Sequence, residues 1–247
     1  MQMNIEYIKH SGFMVEFMES VMVFDYFDGD LTLPENKKHI YFFVSHKHVD
    51  HFSFRIFEYA KQYQNITFIL PNDMKMNEKY LERKQVPVEA RENIRYVKKH
   101  DKVQLNEQVM IETLNSTDEG VAYIVNYQED ENEVCFYHAG DLNWWTWIGE
   151  TKQEEQDMER RFKEEMEKIR GREFDCAFVP LDPRQAERFF WGFDYFMKTT
   201  NAKRVFPMHC WEDYNIIHHF LEMEQSKEYR KRIISVHHQT ECFKIES

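Results

Sequence analysis

Glycine and proline are scarce in this chain, 7 and 6 of 247 residues, and nowhere do they gather with serine into a linker. With no flexible tract, internal repeat or low-complexity segment to divide it, the chain is expected to fold as a single domain over 1–247. That length can bury a sizeable core. Cysteine is sparse as well. Cys135, Cys176, Cys210 and Cys242 lie far apart with no C-x-x-C pair, which argues against a disulfide framework or a zinc ribbon and leaves reduced thiols in strands. Cys210, beside His209, is either a buried thiol or a metal neighbour. No apolar run approaches the roughly 20 residues needed to span a bilayer. The start Met1-Gln2-Met3-Asn4-Ile5-Glu6 has no signal-peptide pattern. No membrane partner and a cytoplasmic location are therefore expected. Basic charge is in deficit, 32 Lys and Arg against 44 Asp and Glu, for a net charge of −12. A polyanion is repelled at long range by such a surface, and the basic runs Lys98-Lys99-His100 and Arg230-Lys231-Arg232 are too short to reverse it. A large nucleic acid is disfavoured as a partner and a small-molecule substrate is expected. Oligomeric state is left open.

What the chain does have is a concentration of imidazoles. In Ser45-His46-Lys47-His48-Val49-Asp50-His51, three histidines and a carboxylate follow the apolar run Ile40-Tyr41-Phe42-Phe43-Val44. The run is β-branched and aromatic, too brief for a helix, and reads as a buried strand. Beyond the cluster, Ser53 can cap a helix carrying Ile56, Phe57, Ala60 and Tyr63 at helical spacing. The cluster thus falls on a strand-to-helix turn, where two regular elements hold a ligand-bearing loop rigid. His46 and His48 at i and i+2, followed by Asp50 and His51 side by side, supply enough nitrogen and oxygen donors for two adjacent metals. Zinc accepts both ligand types and, in catalytic sites, leaves a position for water.

The rest of the chain alternates short strands and helices. Two strands meet near Ser11-Gly12, and Val21–Phe24 ends in Asp25. Ile66–Leu70 stops at Pro71, and residues 74–90 read as polar and helical. Strand patterning recurs at Ile94–Val97, Val103–Leu105, Val109–Leu114, Val121–Val125 and Glu133–His138. Gly140 and Asp141 follow the last of these, so the carboxylate can reach a cleft past a residue with no side chain. Trp144, Trp145 and Trp147 come next and either line a pocket or pack under the following helix. That helix is expected over Glu150–Arg170, with Met158, Phe162, Met166 and Ile169 on one stripe and Gly171 as its stop. Phe174–Pro180 reads as a strand ending near Asp182 and Arg184, which either contact a substrate or pair with each other. A helix over Gln185–Thr200 and a strand over Arg204–Met208 lead to His209. A helix over Tyr214–Glu224 and closing strands at Ile233–Val236 and Cys242–Ile245 complete the chain. His218-His219 and His237-His238 are adjacent pairs whose members point apart. His10 is ambiguous between a surface histidine and one near the cleft.

Asp25, the string from His46 to His51, Asp141 and His209 fall in an order that resembles the metallo-β-lactamase superfamily through nearly the whole chain. His-Ser-Gly-Phe, Ser-Thr-Asp-Glu-Gly-Val-Ala-Tyr, His-Ala-Gly-Asp-Leu-Asn-Trp-Trp and Val-Pro-Leu-Asp-Pro-Arg-Gln look like a bacterial branch of zinc-dependent hydrolases with no assigned substrate. The resemblance implies an α+β (α/β) fold, a four-layer αββα sandwich with its site at one edge between two sheets. It implies one or two zinc ions, with manganese or iron as alternatives. The metal ligands would be His46, His48, Asp50, His51, Asp141 and His209, with Asp141 bridging and Asp25 supporting the histidine loop. One motif departs: where most members carry a histidine between two central strands, this chain has Asn115-Ser116-Thr117-Asp118-Glu119-Gly120, and Asp118 is the candidate substitute. Asp50 would bind the second metal or take the water proton. His10, Trp144, Trp145, Asp182 and Arg184 are candidates for the substrate pocket. The expected activity is hydrolysis of an ester, lactone, amide or similar bond. A small phosphodiester substrate and a non-catalytic metal sensor are the other readings.

Overall fold

A computed structural model of the chain describes residues 1–34 and 38–246. Two large sheets face each other, with helices on both outer sides. The first sheet opens as an antiparallel meander, β1 (Gln2–Lys9), β2 (Gly12–Glu16) and β3 (Ser20–Phe24). It then turns parallel through β4 (His39–Phe43), β5 (Ile66–Pro71) and β6 (Ile94–Val97). The helices between β5 and β6 are short, α1 (Glu78–Arg83) and α2 (Val88–Glu92), separated at Pro87, which has no N–H to continue the first. The second sheet is built from β7 (Lys102–Gln104), β8 (Val109–Asn115), β9 (Val121–Glu129) and β10 (Asn132–His138), all antiparallel neighbours.

After α3 (Lys152–Glu167), the two-residue strand β11 (Glu173–Phe174) precedes β12 (Cys176–Pro180). Then α4 (Trp191–Thr199) leads to the short β13 (Asn201–Ala202), which pairs with β11, and to β14 (Val205–Met208). Strands β12 and β14 extend the second sheet in parallel with β10. Finally α5 (Asn215–Glu222) hands the chain to β15 (Glu241–Glu246), which returns to the first sheet beside β1.

Strand periodicity divides the core. On β4, Tyr41 and Phe43 point between the sheets while Ile40 and Phe42 point outward under the Phe54–Lys61 segment; Met22 and Phe24 against Val21 and Val23 divide β3 the same way. Strands buried on both faces read as continuous apolar runs, which is why this part of the sequence carries no polar alternation. Phe13 and Phe24 meet Phe178 of the opposite sheet at centroid distances of 4.3 and 5.9 Å. The layered order is a four-layer αββα sandwich.

Several expected elements differ. Ser53 does cap its helix, accepting from the Arg55 N–H, but Phe54–Lys61 winds as a 3-10 helix, whose three-residue repeat stacks Phe57 and Ala60 on the sheet. The helix over Gln185–Thr200 is broken: Ala186 is at φ 51°, and only Trp191–Thr199 is α-helical. The break lets the Gln185 amide turn inward, accepting from Asn143 at 3.0 Å and donating to the Trp144 carbonyl at 2.9 Å. Ile233–Val236 forms a single bridge to Val205 and no strand, because the chain leaves that edge to join the other sheet. The helix begun by Thr151 carries a capping box with Glu154 and buries Phe162 and Met166, close to the expected stripe.

Candidate metal centre

Parallel pairing decides where the chemistry gathers. Strands β3 and β4 in one sheet, and β10, β12 and β14 in the other, run in register, so their carboxyl ends emerge at one edge of the sandwich. Asp25 follows β3, the string from Ser45 to His51 follows β4, Asp141 follows β10, Asp182 follows β12 and His209 follows β14. The β1–β2 turn adds His10, and the β8–β9 loop adds Asp118. Residues 199 positions apart in sequence, His10 and His209, meet with ring centroids 4.0 Å apart.

Two clusters result. His46, His48, Asp118 and Asp141 each offer an atom within 4.8 Å of the others, and so do His10, Asp50, His51 and His209. Asp141 stands between them. Its Oδ2 is 3.5 Å from His46 Nε2, while its Oδ1 is 3.2 Å from His51 Nε2 and 3.5 Å from His209 Nε2. His46 Nε2 and His48 Nδ1 are 3.0 Å apart, and His48 Nδ1 lies 3.7 Å from Asp118 Oδ2. His10 Nε2 is 3.4 Å from Asp50 Oδ2. The clusters differ in exposure: His10, His51 and His209 are buried, whereas His48 and Asp118 are 41% and 47% exposed.

Whether these residues suit a metal can be judged from the atoms left over. Nε2 of His10, His51 and His209 and Oδ1 of Asp141 are all buried without a hydrogen-bond partner. An unsatisfied buried polar atom costs about 1–3 kcal/mol, and four that converge describe a place for a cation. The imidazoles are suited to it. Burial, with the nearby His51, holds His46 down at about 2; burial likewise lowers His209 to about 4 and drives His51 well below its usual range. Neutral imidazoles are the ligating form. Asp141 is driven well above the usual carboxylate range by burial and by the charges of Asp25, Asp118, Asp50 and Asp182, a crowding that a dication would reverse.

Two of the buried rings, His51 and His209, are held from behind by carboxylates. Asp25 accepts the Ser45 N–H and hydroxyl, both at 2.6 Å, and contacts His51 Nδ1 at 2.8 Å. Asp182 contacts His209 Nδ1 at 2.8 Å. A carboxylate on Nδ1 leaves Nε2 facing the centre as the ligating nitrogen. His138, which the sequence reading passed over, has both nitrogens committed, to the Ser11 carbonyl and the Gly140 N–H, and packs flat on Phe24. Its signal in the sequence was only its place two residues before Gly140.

The centre opens into a cleft of about 340 Å³ whose walls include Thr117, Trp145, Trp147, Met158 and Arg184. Trp145 stacks on Trp147 and donates its indole N–H to the Asp141 carbonyl at 2.9 Å. Three pocket assignments need correction. Trp144 lies under the helices instead, against Phe162, Trp191 and Tyr195, with the Lys163 ammonium 4.6 Å from its ring. Asp182 is fully buried and serves His209 and Arg184, not a substrate. His10 does not line this cleft but sits with the second cluster. Cys210 is a buried thiol pointing at the Met208 carbonyl and belongs to neither cluster. The paired His218-His219 and His237-His238 also lie outside both clusters. Trp211, whose ring packs against His10 and Arg184, had no sequence signal beyond its closeness to His209.

No protein-family model matches this sequence, and no curated protein matches it. Solved structures do. A metallo hydrolase from Ignicoccus hospitalis superposes over 100% of both chains with a TM-score of 0.61 at 16% identity. A proposed metal-dependent hydrolase from Parabacteroides distasonis covers 96% of this chain and 94% of its own, with a TM-score of 0.64 at 16% identity. A diiron β-hydroxylase from Streptomyces venezuelae covers 98% of this chain, which spans 54% of that longer protein, with a TM-score of 0.59 at 11% identity. The chain therefore shares its fold with solved metal-dependent hydrolases. At these identities the likeness is one of fold.

Proposed function

We propose that this protein is a metal-dependent hydrolase of a small molecule, with two divalent cations bridged by Asp141. His46, His48 and Asp118 would complete the shell of one ion, and Asp50, His51 and His209, joined by His10, that of the other. The observation that carries this reading is a set of buried, unpartnered ligand atoms, with Nε2 of His51 and His209 at 3.2 and 3.5 Å from Asp141 Oδ1 and Nε2 of His10 in the same cluster as the two histidines, beside a cleft that Asp141 and His209 line. Imidazole and carboxylate donors suit zinc, and manganese or iron also accept them. Ions held there would polarise a substrate oxygen and lower the pKa of water towards neutrality.

The chain's own residues do the rest. Asp118 takes the place of the histidine that most relatives of this motif carry, and Ser116 Oγ accepts from the Asp118 N–H at 3.1 Å, which orders the loop. Asp50 lines the cleft and stays ionised: burial opposes this, but the contacts with His10 and His51 outweigh it. One of its oxygens faces His10, and the other can hold water or accept its proton. Trp145 ties the Asp141 backbone to the cleft wall.

Elemental analysis of the purified protein, followed by chromogenic ester, lactone, amide, thioester and phosphodiester substrates, tests the reading. Two bound metals are expected, with turnover on one of the carboxyl-derived bonds. Asp141→Asn should lose at least one metal and about a thousandfold in turnover. Full turnover in that variant or in metal-free protein refutes the reading; bound metal with no turnover on any substrate favours a sensor.

A further inference from the structure

Arg184 is the only lysine or arginine lining the cleft among the described residues. Its guanidinium lies 4.3 Å from the ring centre of Trp211 and 5.7 Å from that of Trp147, so it is held between two indoles. Nε and one Nη donate to the Asp182 carboxylate, at 3.0 and 2.5 Å, and the other Nη has no partner among the described residues. The two ends of this ion pair face different media: Asp182 is fully buried, while the Arg184 side chain is 47% exposed. The carboxylate therefore serves as an anchor, fixing a cation that would otherwise be mobile and also contacting His209. What the cleft meets is a planar, preoriented donor beside an aromatic wall.

We propose that Arg184, Trp147 and Trp145 form a subsite for an anionic group carried on a planar or aromatic body. The cleft would thus select small carboxylate-, sulfonate- or phosphate-bearing substrates over neutral ones of the same size. The remaining charges of the cleft agree. Asp50, Asp118 and Asp141 are the groups assigned to the cations, so once these are bound Arg184 is the charged side chain left in the lining to recognise a substituent distant from the reacting bond. The side chain is fixed before a ligand arrives, so little rotamer entropy is lost on binding. For substrate preference this inference rests on the hydrolase reading, but the subsite can be tested without turnover.

Calorimetric titration of the metal-loaded protein with benzenesulfonate, an aryl anion that is a poor metal ligand, and with neutral benzyl alcohol provides that test. The sulfonate is expected to bind about tenfold more tightly, and Arg184→Gln should abolish that preference. Arg184→Lys, which keeps a charge for Asp182 but not the planar fork, should retain part of it, and metal content is measured in both variants. In turnover, the kcat/KM ratio of 4-acetoxybenzoate to phenyl acetate should fall about tenfold in Arg184→Gln. An unchanged sulfonate preference in Arg184→Gln overturns the proposal, as does a preference that survives there and disappears in Asp141→Asn, which assigns the anion to the metals. Loss of the binding preference in Arg184→Gln, with no ester, lactone, amide, thioester or phosphodiester turned over by any form, upholds the subsite and sinks the hydrolase reading instead.

Discussion

Three residues of the centre hold backbone conformations that side chains with a Cβ rarely adopt: His10 at φ 56°, Asp25 at φ 43° and His209 at φ 64°. Left-handed backbone costs a non-glycine residue about 1–2 kcal/mol, and such strain persists where surrounding contacts over-determine it. Here the contacts are visible. The His209 N–H donates to the His10 carbonyl at 3.1 Å, so these two lock each other, and the Asp25 N–H donates to the Phe43 carbonyl at 2.9 Å at the end of the neighbouring strand. Asp25 is the more telling case because burial raises its carboxyl, against the opposing pull of His138, His46 and Ser45. A buried carboxylate this costly is retained for what it orients, namely Ser45 and, through Nδ1, His51. Asp25→Asn keeps the volume and tolerates the left-handed backbone, but it removes the negative charge behind the His51 ring. We expect metal affinity to fall about 10–100-fold with the fold intact, as read by competition with a chromophoric chelator. Unchanged affinity would show that Asp25 is only a packing group.

At the level of elements, the histidine loop is pinned from two sides by glycines. A Cβ on Gly120 would stand 1.9 Å from the Ser45 carbonyl oxygen and 2.8 Å from His46 Cβ; one on Gly140 would stand 2.5 Å from Ser45 Cβ. Both residues also have positive φ, 72° and 54°. The β8–β9 and β10–α3 connections therefore close on the β4 loop as tightly as backbone permits, and the Val121 N–H donates to the Ser45 carbonyl at 3.0 Å. Gly120→Ala must push the Ser45-His46 peptide away. It should cost about 3 kcal/mol of stability and displace His46, so denaturant melts and metal content should fall together. A stable Gly120→Ala protein with full metal content would mean the loop is freer than drawn. This clamp also marks what the sequence could and could not disclose. Strand ends were legible because apolar runs stop abruptly at polar residues, as Phe43-Val44-Ser45 does, and motif order then placed Asp25, Asp141 and His209. The 3-10 winding after Ser53, the kink at Ala186 and the single bridge at Ile233 were not, because each is decided by a tertiary partner that no local pattern encodes. The same holds for His10: nothing near Ser11-Gly12 says that the turn meets His209. The pocket assignment of Trp144 failed where adjacent indoles diverge, one onto helices α3 and α4 and the next into the cleft.

For the whole molecule, the two sheets share one apolar interior, and no helix among the described residues is long and apolar enough to cross a membrane. The candidate metal centre lies on the seam that joins the sheets at one edge: His46, His51 and Asp25 come from the first, Asp141, Asp182 and His209 from the second. Without cations, that seam gathers several carboxylates and unpartnered ring nitrogens between the two halves, a local source of repulsion and desolvation cost. Under the proposed reading, bound cations would make the same atoms cross-links. We propose that the chain unfolds as one unit and that metal removal weakens it as a whole. Ligand present at about a thousand times its dissociation constant contributes about 4 kcal/mol. For a chain of this size each kcal/mol moves Tm by roughly 2–4 °C. Stripping the metal with a chelator should therefore lower Tm on the order of 10 °C, with far-ultraviolet circular dichroism and tryptophan fluorescence shifting together. Two separated transitions would show that the sheets belong to independent units, and an unmoved Tm after verified removal would show that the seam holds without the ions.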